Sequence, residues 1–235
     1  MVGSRQLACP AGFGTRSPPP KLQHAKARKI RLGKCRFLSQ GGSVNDPGAY
    51  VLRETTGTSG LEQTARSAVA ALARFDIPHL LAGGLAVQEH GYHRVTLDVD
   101  LVVPDILEAV EFLTADLSGP FVRVAECEDR VQDRRNGVFV DLLPAGKVLR
   151  RGCGVPFPEP TVVSEQPQFV SLEQLISLKL DSWANNPVRR LKDKADVVEL
   201  IQARRLPRDL NVADPVRQHY LETWDALQAD RKSVV

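Results

Sequence analysis

A glycine pair, Gly83-Gly84, closes the short apolar run His79-Leu80-Leu81-Ala82, and after thirteen further residues Asp98-Val99-Asp100 opens the apolar run Leu101-Val102-Val103. Side chains alternate along a strand, so Asp98 and Asp100 share one face. Two carboxylates held that close oppose each other's ionisation unless a cation sits with them. A hard divalent ion is the usual partner, and Mg²⁺ favours carboxylate oxygens together with phosphates. Glycines, lacking Cβ, let the backbone come close to those phosphates. The pattern constrains the chain to a strand, a Gly-Gly turn and a second, acidic strand. It points to metal-dependent phosphoryl or nucleotidyl transfer.

The surroundings of this unit set the organisation. At 235 residues, 43% hydrophobic and 25% charged, the chain supports one good core with a helical appendage. No apolar run approaches the roughly 18–20 residues that span a bilayer. The net charge of +3 conceals an asymmetry. Through Arg53 there are ten Lys/Arg and one acidic residue, Asp46; from Glu54 onward there are twenty-one basic and twenty-seven acidic residues. Basicity therefore belongs to the N-terminal segment and says nothing about the affinity of the folded part for nucleic acid. Residues 1–57 are rich in Pro, Gly, Ser and basic side chains without period, which reads as a disordered tail. A targeting peptide and a gene-model artefact are the two other readings of that segment. The four cysteines (Cys9, Cys35, Cys127, Cys153) form no C-x-x-C pair, so four free thiols in a reducing cytoplasm are expected.

Periodicity predicts the elements. Leu61, Ala65, Ala68, Val69, Leu72 and Phe75 form a helical stripe ending before Pro78. Strands are expected at 79–82, 99–103, 121–125 and 137–143, with short extended pieces at 161–163 and 168–170. Helices are expected at about 85–90 and 105–116. A helix capped by Ser171 follows, presenting Leu172, Leu175, Ile176 and Trp183 on one face. A helix at 189–204 is expected to bury Leu191, Ala195, Val198 and Ile201, and a last one covers 214–229. Mixed strands and helices followed by helices alone predict an α+β (α/β) fold, a mixed sheet flanked by helices with a helical C-terminal part. The division is a tail at 1–57, an α/β core at 58–165 and a helical part at 166–235.

Asp141 lies in GVFVDLLP, where Phe139, Asp141 and Leu143 face one way and Val138, Val140 and Leu142 the other. A carboxylate in such a strand needs a partner. Beside Asp98 and Asp100 it completes a triad able to hold two metal ions about 3.5–4 Å apart.

An apolar strand, Gly-Gly, a spacer, Asp-h-Asp and a later strand aspartate together resemble the nucleotidyltransferase superfamily. HGYHRVTLDVDL, with His90-Gly91, Arg94, Thr96 and the aspartates, is most similar to its AbiEii-type branch of abortive-infection and toxin–antitoxin proteins. Lys179, Arg190, Lys192, Asp193 and Asp196 fall on that branch's helix lysine and R/K-x-x-D-x-x-D element. The resemblance covers residues 59–204 and implies a nucleotidyltransferase-like core. It implies that Gly83 and Gly84 hold an NTP, that Asp98, Asp100 and Asp141 bind Mg²⁺ (or Mn²⁺), and that Asp141 helps deprotonate the acceptor hydroxyl. The acceptor would be a tRNA or other RNA 3′ end, a protein side chain or a small molecule, and a neighbouring antitoxin is an implied partner.

The remaining residues carry competing readings. Lys179 suits a β/γ-phosphate or a snorkelling surface position. Arg94 contacts phosphate or braces its loop, the latter favoured. Asp193 and Asp196 are expected to pair with Arg189, Arg190 or Lys192. His90 and His93 form an H-x-x-H without a third ligand, which argues against zinc. Trp183 and Trp224 read as packing anchors, and the basic RVQDRR at 130–135 as a solvated hairpin. The alternative function is a catalytically inactive binding or regulatory module of the same fold.

Overall fold

The computed structural model describes residues 59–149 and 152–233, and these lie within one compact unit. The expectations for residues 1–57, and for Cys9 and Cys35, fall outside the described residues. Helix α1 (Gly60–Ala73) is started by Ser59, whose hydroxyl accepts from the Glu62 N–H at 3.0 Å. Its stripe Leu61, Thr64, Ala65, Ala68, Val69 and Leu72 is buried, whereas Phe75, beyond the helix end, stays exposed and stacks on Phe112. Strand β1 (Leu80–Leu81) leads into helix α2 (Gly83–Glu89), and β2 (Asp98–Val103) into α3 (Ile106–Leu113), which is capped by Asp105. Three further strands follow: β3 (Phe121–Arg123), β4 (Arg130–Asp133) and β5 (Phe139–Pro144).

The five strands form one mixed sheet in the order β1-β2-β5-β4-β3. β2 and β5 run parallel, and the other neighbouring pairs are antiparallel. Phe169 adds a parallel bridge to Leu81 at the β1 edge. Beyond it come α4 (Leu172–Asn185), α5 (Leu191–Arg204), a 3₁₀ turn (Asp214–Val216) and α6 (Arg217–Ser233). Ser171 and Gln174 form a reciprocal capping box at the start of α4, which satisfies two otherwise unpaired donors. The fold is mixed α/β with a helical C-terminal part.

Alternation in the strands divides the interior in two. Val99, Leu101, Val103, Val140 and Leu142 pack with α1 and α3 on one face. Val102 and Leu143 point to the other, joining Ala86, Val87, Leu175, Ile176, Leu180, Val197, Leu200 and Tyr220 from α2, α4, α5 and α6. Asp98 and Asp100 are four and two residues from Val102, and Asp141 is two from Leu143, so all three share the face covered by the C-terminal helices.

Three expectations need correction. The basic segment 130–135 does turn back as a hairpin into β5, but its Arg130–Asp133 stretch is strand β4, paired on both sides, and is not solvated throughout. Its Asp133 is fully buried, held by Thr64 at 2.7 Å and by Arg135. Helix α5 buries Asp193, Asp196, Val197, Leu200 and Ile201, whereas Leu191 is 62% exposed and Ala195 also faces solvent. Cys127 is disulfide-bonded, so the expectation of four free thiols fails there; Cys153 is free. Disulfide pairing depends on Cα approach in the folded chain, which sequence spacing does not reveal. Among the described residues no helix is long and apolar enough to cross a membrane.

Candidate functional site

The parallel register places Asp100 directly beside Asp141, with Asp98 opposite Phe139 two positions earlier. The glycine pair sits against this strand. The Ala82 N–H donates to the Asp100 carbonyl at 2.9 Å, bringing the start of α2 alongside β2. Gly83 has φ +57°, and a Cβ there would lie 1.7 Å from the Asp100 carboxylate. A Cβ on Gly84 would lie 2.2 Å from Thr96 Oγ1. The glycines thus permit close contact between the start of α2 and the acidic strand. Thr96 in turn donates its hydroxyl to Asp98 Oδ1 at 3.1 Å.

The electrostatics distinguish the three carboxylates. Burial pushes the Asp100 carboxyl up to about 7, with the charges of Asp98 and Asp141 adding to the effect and Lys179 opposing it. Among the described residues no donor hydrogen-bonds the Asp100 carboxylate. Asp141 is also raised, first by burial, although Arg130 pulls it back down. Arg130 grips both Asp141 oxygens, from Nε to Oδ1 and from Nη2 to Oδ2 at 2.7 Å. Arg130 stands opposite Asp141 in the β4–β5 register, and its guanidinium lies 5.1 Å from the centre of the Phe139 ring.

A second charged layer borders the first. Lys179, 8% exposed, places Nζ 2.8 Å from Asp193 Oδ1 and 2.9 Å from Asp196 Oδ2. Asp193 also accepts from Ser182 at 2.7 Å. Arg94 binds Asp196 through Nε at 2.6 Å and Nη2 at 2.8 Å, tying the loop before β2 to α5. The expected partners of Asp193 and Asp196 are thereby corrected. Arg190 reaches Asp193 only at 3.8 Å, and the close contacts come from Lys179 and Arg94. Burial lowers the Lys192 ammonium and the Arg94 charge lowers it further, with Asp196 and Asp98 acting in the other direction. Lys192 is exposed and forms no ion pair among the described residues.

Other singled-out residues do structural work. His90 Nε2 meets the Val170 carbonyl at 2.8 Å. Trp224 donates to the Leu206 carbonyl at 3.0 Å. Trp183 packs edge-on to His219, with Lys194 over its ring. Sequence reasoning missed Arg130, whose only signal was its place in a strand that periodicity did not reveal. It also missed Asp181, which is fully buried and accepts the Gly154 N–H at 3.1 Å.

No protein-family model and no curated protein matches the chain. Solved structures similar to it include an antibiotic-resistance factor and a nucleotidyltransferase-like protein. The antibiotic-resistance factor ANT(2″)-Ia is 16% identical, with 72% of this chain and 96% of that one covered and a TM-score of 0.38. An antigenic nucleotidyltransferase-like protein from Paracoccidioides brasiliensis is 16% identical, with 74% and 92% covered and a TM-score of 0.46. ANT(2″)-Ia in complex with adenylyl-2″-tobramycin is 15% identical, with 61% and 96% covered and a TM-score of 0.35.

The donor set itself tests whether a metal fits. Carboxylates that raise one another's pKa form a site short of positive charge, and their oxygens suit Mg²⁺ or Mn²⁺. Asp100, raised by burial and by the charges of Asp98 and Asp141, meets that description, and Asp98 lies on the same face two residues away. Asp141 is already compensated by Arg130. Among the described residues no group of three or more His, Cys, Asp or Glu is gathered closely enough to hold a metal ion.

Proposed function

We propose that the protein is a divalent-metal-dependent nucleotidyltransferase, moving an NMP from an NTP to a hydroxyl acceptor. The observation that carries this reading is Asp100, short of positive charge beside Asp98 and in register with Asp141, against which the Gly83-Gly84 start of α2 is packed. Asp98 and Asp100 would hold Mg²⁺ or Mn²⁺, which when bound supplies charge to the triphosphate and the leaving oxygen. The chain's own groups do the rest. The start of α2 at Gly83 and Gly84 would offer backbone N–H groups to the phosphates. Lys192, exposed beside the cluster, meets the phosphates directly, while Arg94 and Lys179 frame the site and lend it positive charge. Asp141 accepts the acceptor's proton as its oxygen bonds to the α-phosphorus. The bond to the β-phosphate oxygen breaks, and pyrophosphate leaves.

The AbiEii-type assignment, an RNA-end or protein acceptor and an antitoxin partner belong to the same proposal. They rest on the resemblance of His90 to Asp100 and of Lys179 to Asp196. Asp100→Asn tests the core of the reading, using transfer of label from α-³²P-NTPs to RNA, to protein or to the enzyme itself. Loss of at least about a hundredfold is expected, the scale of removing a group that stabilises transition-state charge. Undiminished labelling would sink the reading.

One observation favours the second reading, an inactive binding module. Arg130 occupies both Asp141 oxygens, as a residue neutralising a retired site would. Calorimetry with Mg²⁺ and NTPs separates the two, because a scaffold without a site shows no metal-dependent nucleotide binding.

A further inference from the structure

Building on the nucleotidyltransferase reading, we propose that the site takes one divalent cation, between Asp98 and Asp100, and that the Arg130 guanidinium holds the second cationic position, on Asp141. Arg130 is then a positioning residue for this carboxylate.

The argument is geometric. Asp141 and Arg130 are register partners on adjacent antiparallel strands, so the backbone of the sheet fixes their approach. The contact is a two-pronged fork on a carboxylate, the strong and directional form of the ion pair. Phe139, on the same face of β5 as Asp141, flanks the guanidinium. The pair is partly buried, at 26% and 21% side-chain exposure, so water screens it incompletely. A cation approaching Asp141 must therefore share oxygens already engaged by a full positive charge. Asp98 accepts a single hydroxyl hydrogen bond, from Thr96, and Asp100 accepts none among the described residues. The acidic cluster is thus divided into an open pair and a closed third member. A planar guanidinium cannot lose its charge at working pH, so the division persists wherever the fold does.

The test counts bound Mn²⁺ by electron paramagnetic resonance, titrating the metal alone into the full chain up to millimolar concentration. Far-UV circular dichroism verifies folding of each variant. One ion per chain is expected for the wild type and for Arg130→Lys, which keeps the charge. Two ions are expected for Arg130→Gln, in which Asp141 is released. Two ions in the wild type overturn the proposal, and so does a single ion in folded Arg130→Gln. Should Arg130→Gln not fold, the wild-type count decides alone. Absence of bound Mn²⁺ from both wild type and folded Arg130→Gln removes the metal-dependent reading together with this one. The two failures are therefore distinct.

Discussion

At the scale of single residues, Gly83 and Asp100 define each other. Gly83 combines φ +57° with a Cβ position 1.7 Å from the Asp100 carboxylate, so an alanine there suffers twice. The left-handed backbone alone costs on the order of 1–3 kcal/mol for a non-glycine residue. The overlap must also displace Asp100. Gly83→Ala is expected to lower the unfolding free energy by at least the backbone cost and to abolish the proposed nucleotidyl transfer. A fully active, equally stable variant would show that the turn is not built around Asp100. The carboxylate makes its own prediction. Its folded pKa of about 7 lies above the ordinary 3.8, so between those values the native state holds a proton that the unfolded chain has released. Metal-free protein should therefore lose stability as pH rises from about 4 to about 7. Asp98, Asp141, Lys179 and Asp193 set the field around Asp100, and Asp141, raised in the same direction, contributes to the same slope. Thermal melting in EDTA across this range should show a smaller decline for Asp100→Asn. Mg²⁺ at pH 8 should raise the melting temperature of the wild type, and that of Asp100→Asn by less. Identical pH profiles of the two proteins would rule out this origin.

At the scale of elements, β2 was legible from the apolar run that Asp98-Val99-Asp100 opens, and β5 from the two-residue alternation around Asp141. Strand β4 was not, since Arg130-Val131-Gln132-Asp133 offers one apolar residue and buries a carboxylate that only Thr64 and Arg135 make tolerable. Helix α5 shows the same limit. Reading Leu191, Ala195 and Val198 as inward assumes that carboxylates face water. Asp193 and Asp196 instead face Lys179 across the α4–α5 contact, and Arg94 completes the set. The partnership joins residues far apart in sequence, so no local pattern encodes it. Removing one member of such a network leaves a buried charge uncompensated, at a cost of about 3–5 kcal/mol. Asp196→Ala, at a position 1% exposed, should approach that loss in urea unfolding. Leu191→Gln, at a position 62% exposed, should change stability by no more than about 0.5 kcal/mol. The reverse ranking would restore the orientation expected from apolar spacing.

At the scale of the whole molecule, the acidic face of the sheet is also the face on which the C-terminal helices rest. Val102 lies two residues from Asp100 and is buried with Leu175, Ile176, Leu180, Val197 and Leu200. The helices therefore supply the hydrophobic cover for β2, and the charge of Lys179 acts on Asp100 from them. Each fully buried aliphatic side chain contributes about 1.5–3 kcal/mol relative to exposure. Several such residues join the sheet to the helices, while a domain's net stability is only about 5–15 kcal/mol. Neither part can shed the other and keep its margin. Trp183 lies in α4 and Trp224 in α6, so tryptophan fluorescence reports the helical part alone. Far-UV circular dichroism reports strands and helices together. Urea transitions followed by the two probes should coincide in midpoint and slope, as required of a single cooperative unit. An earlier fluorescence transition would mean that the helices leave while the sheet stands. In that case Lys179 would belong to a detachable cover, and the metal binding proposed for Asp98 and Asp100 would survive its departure.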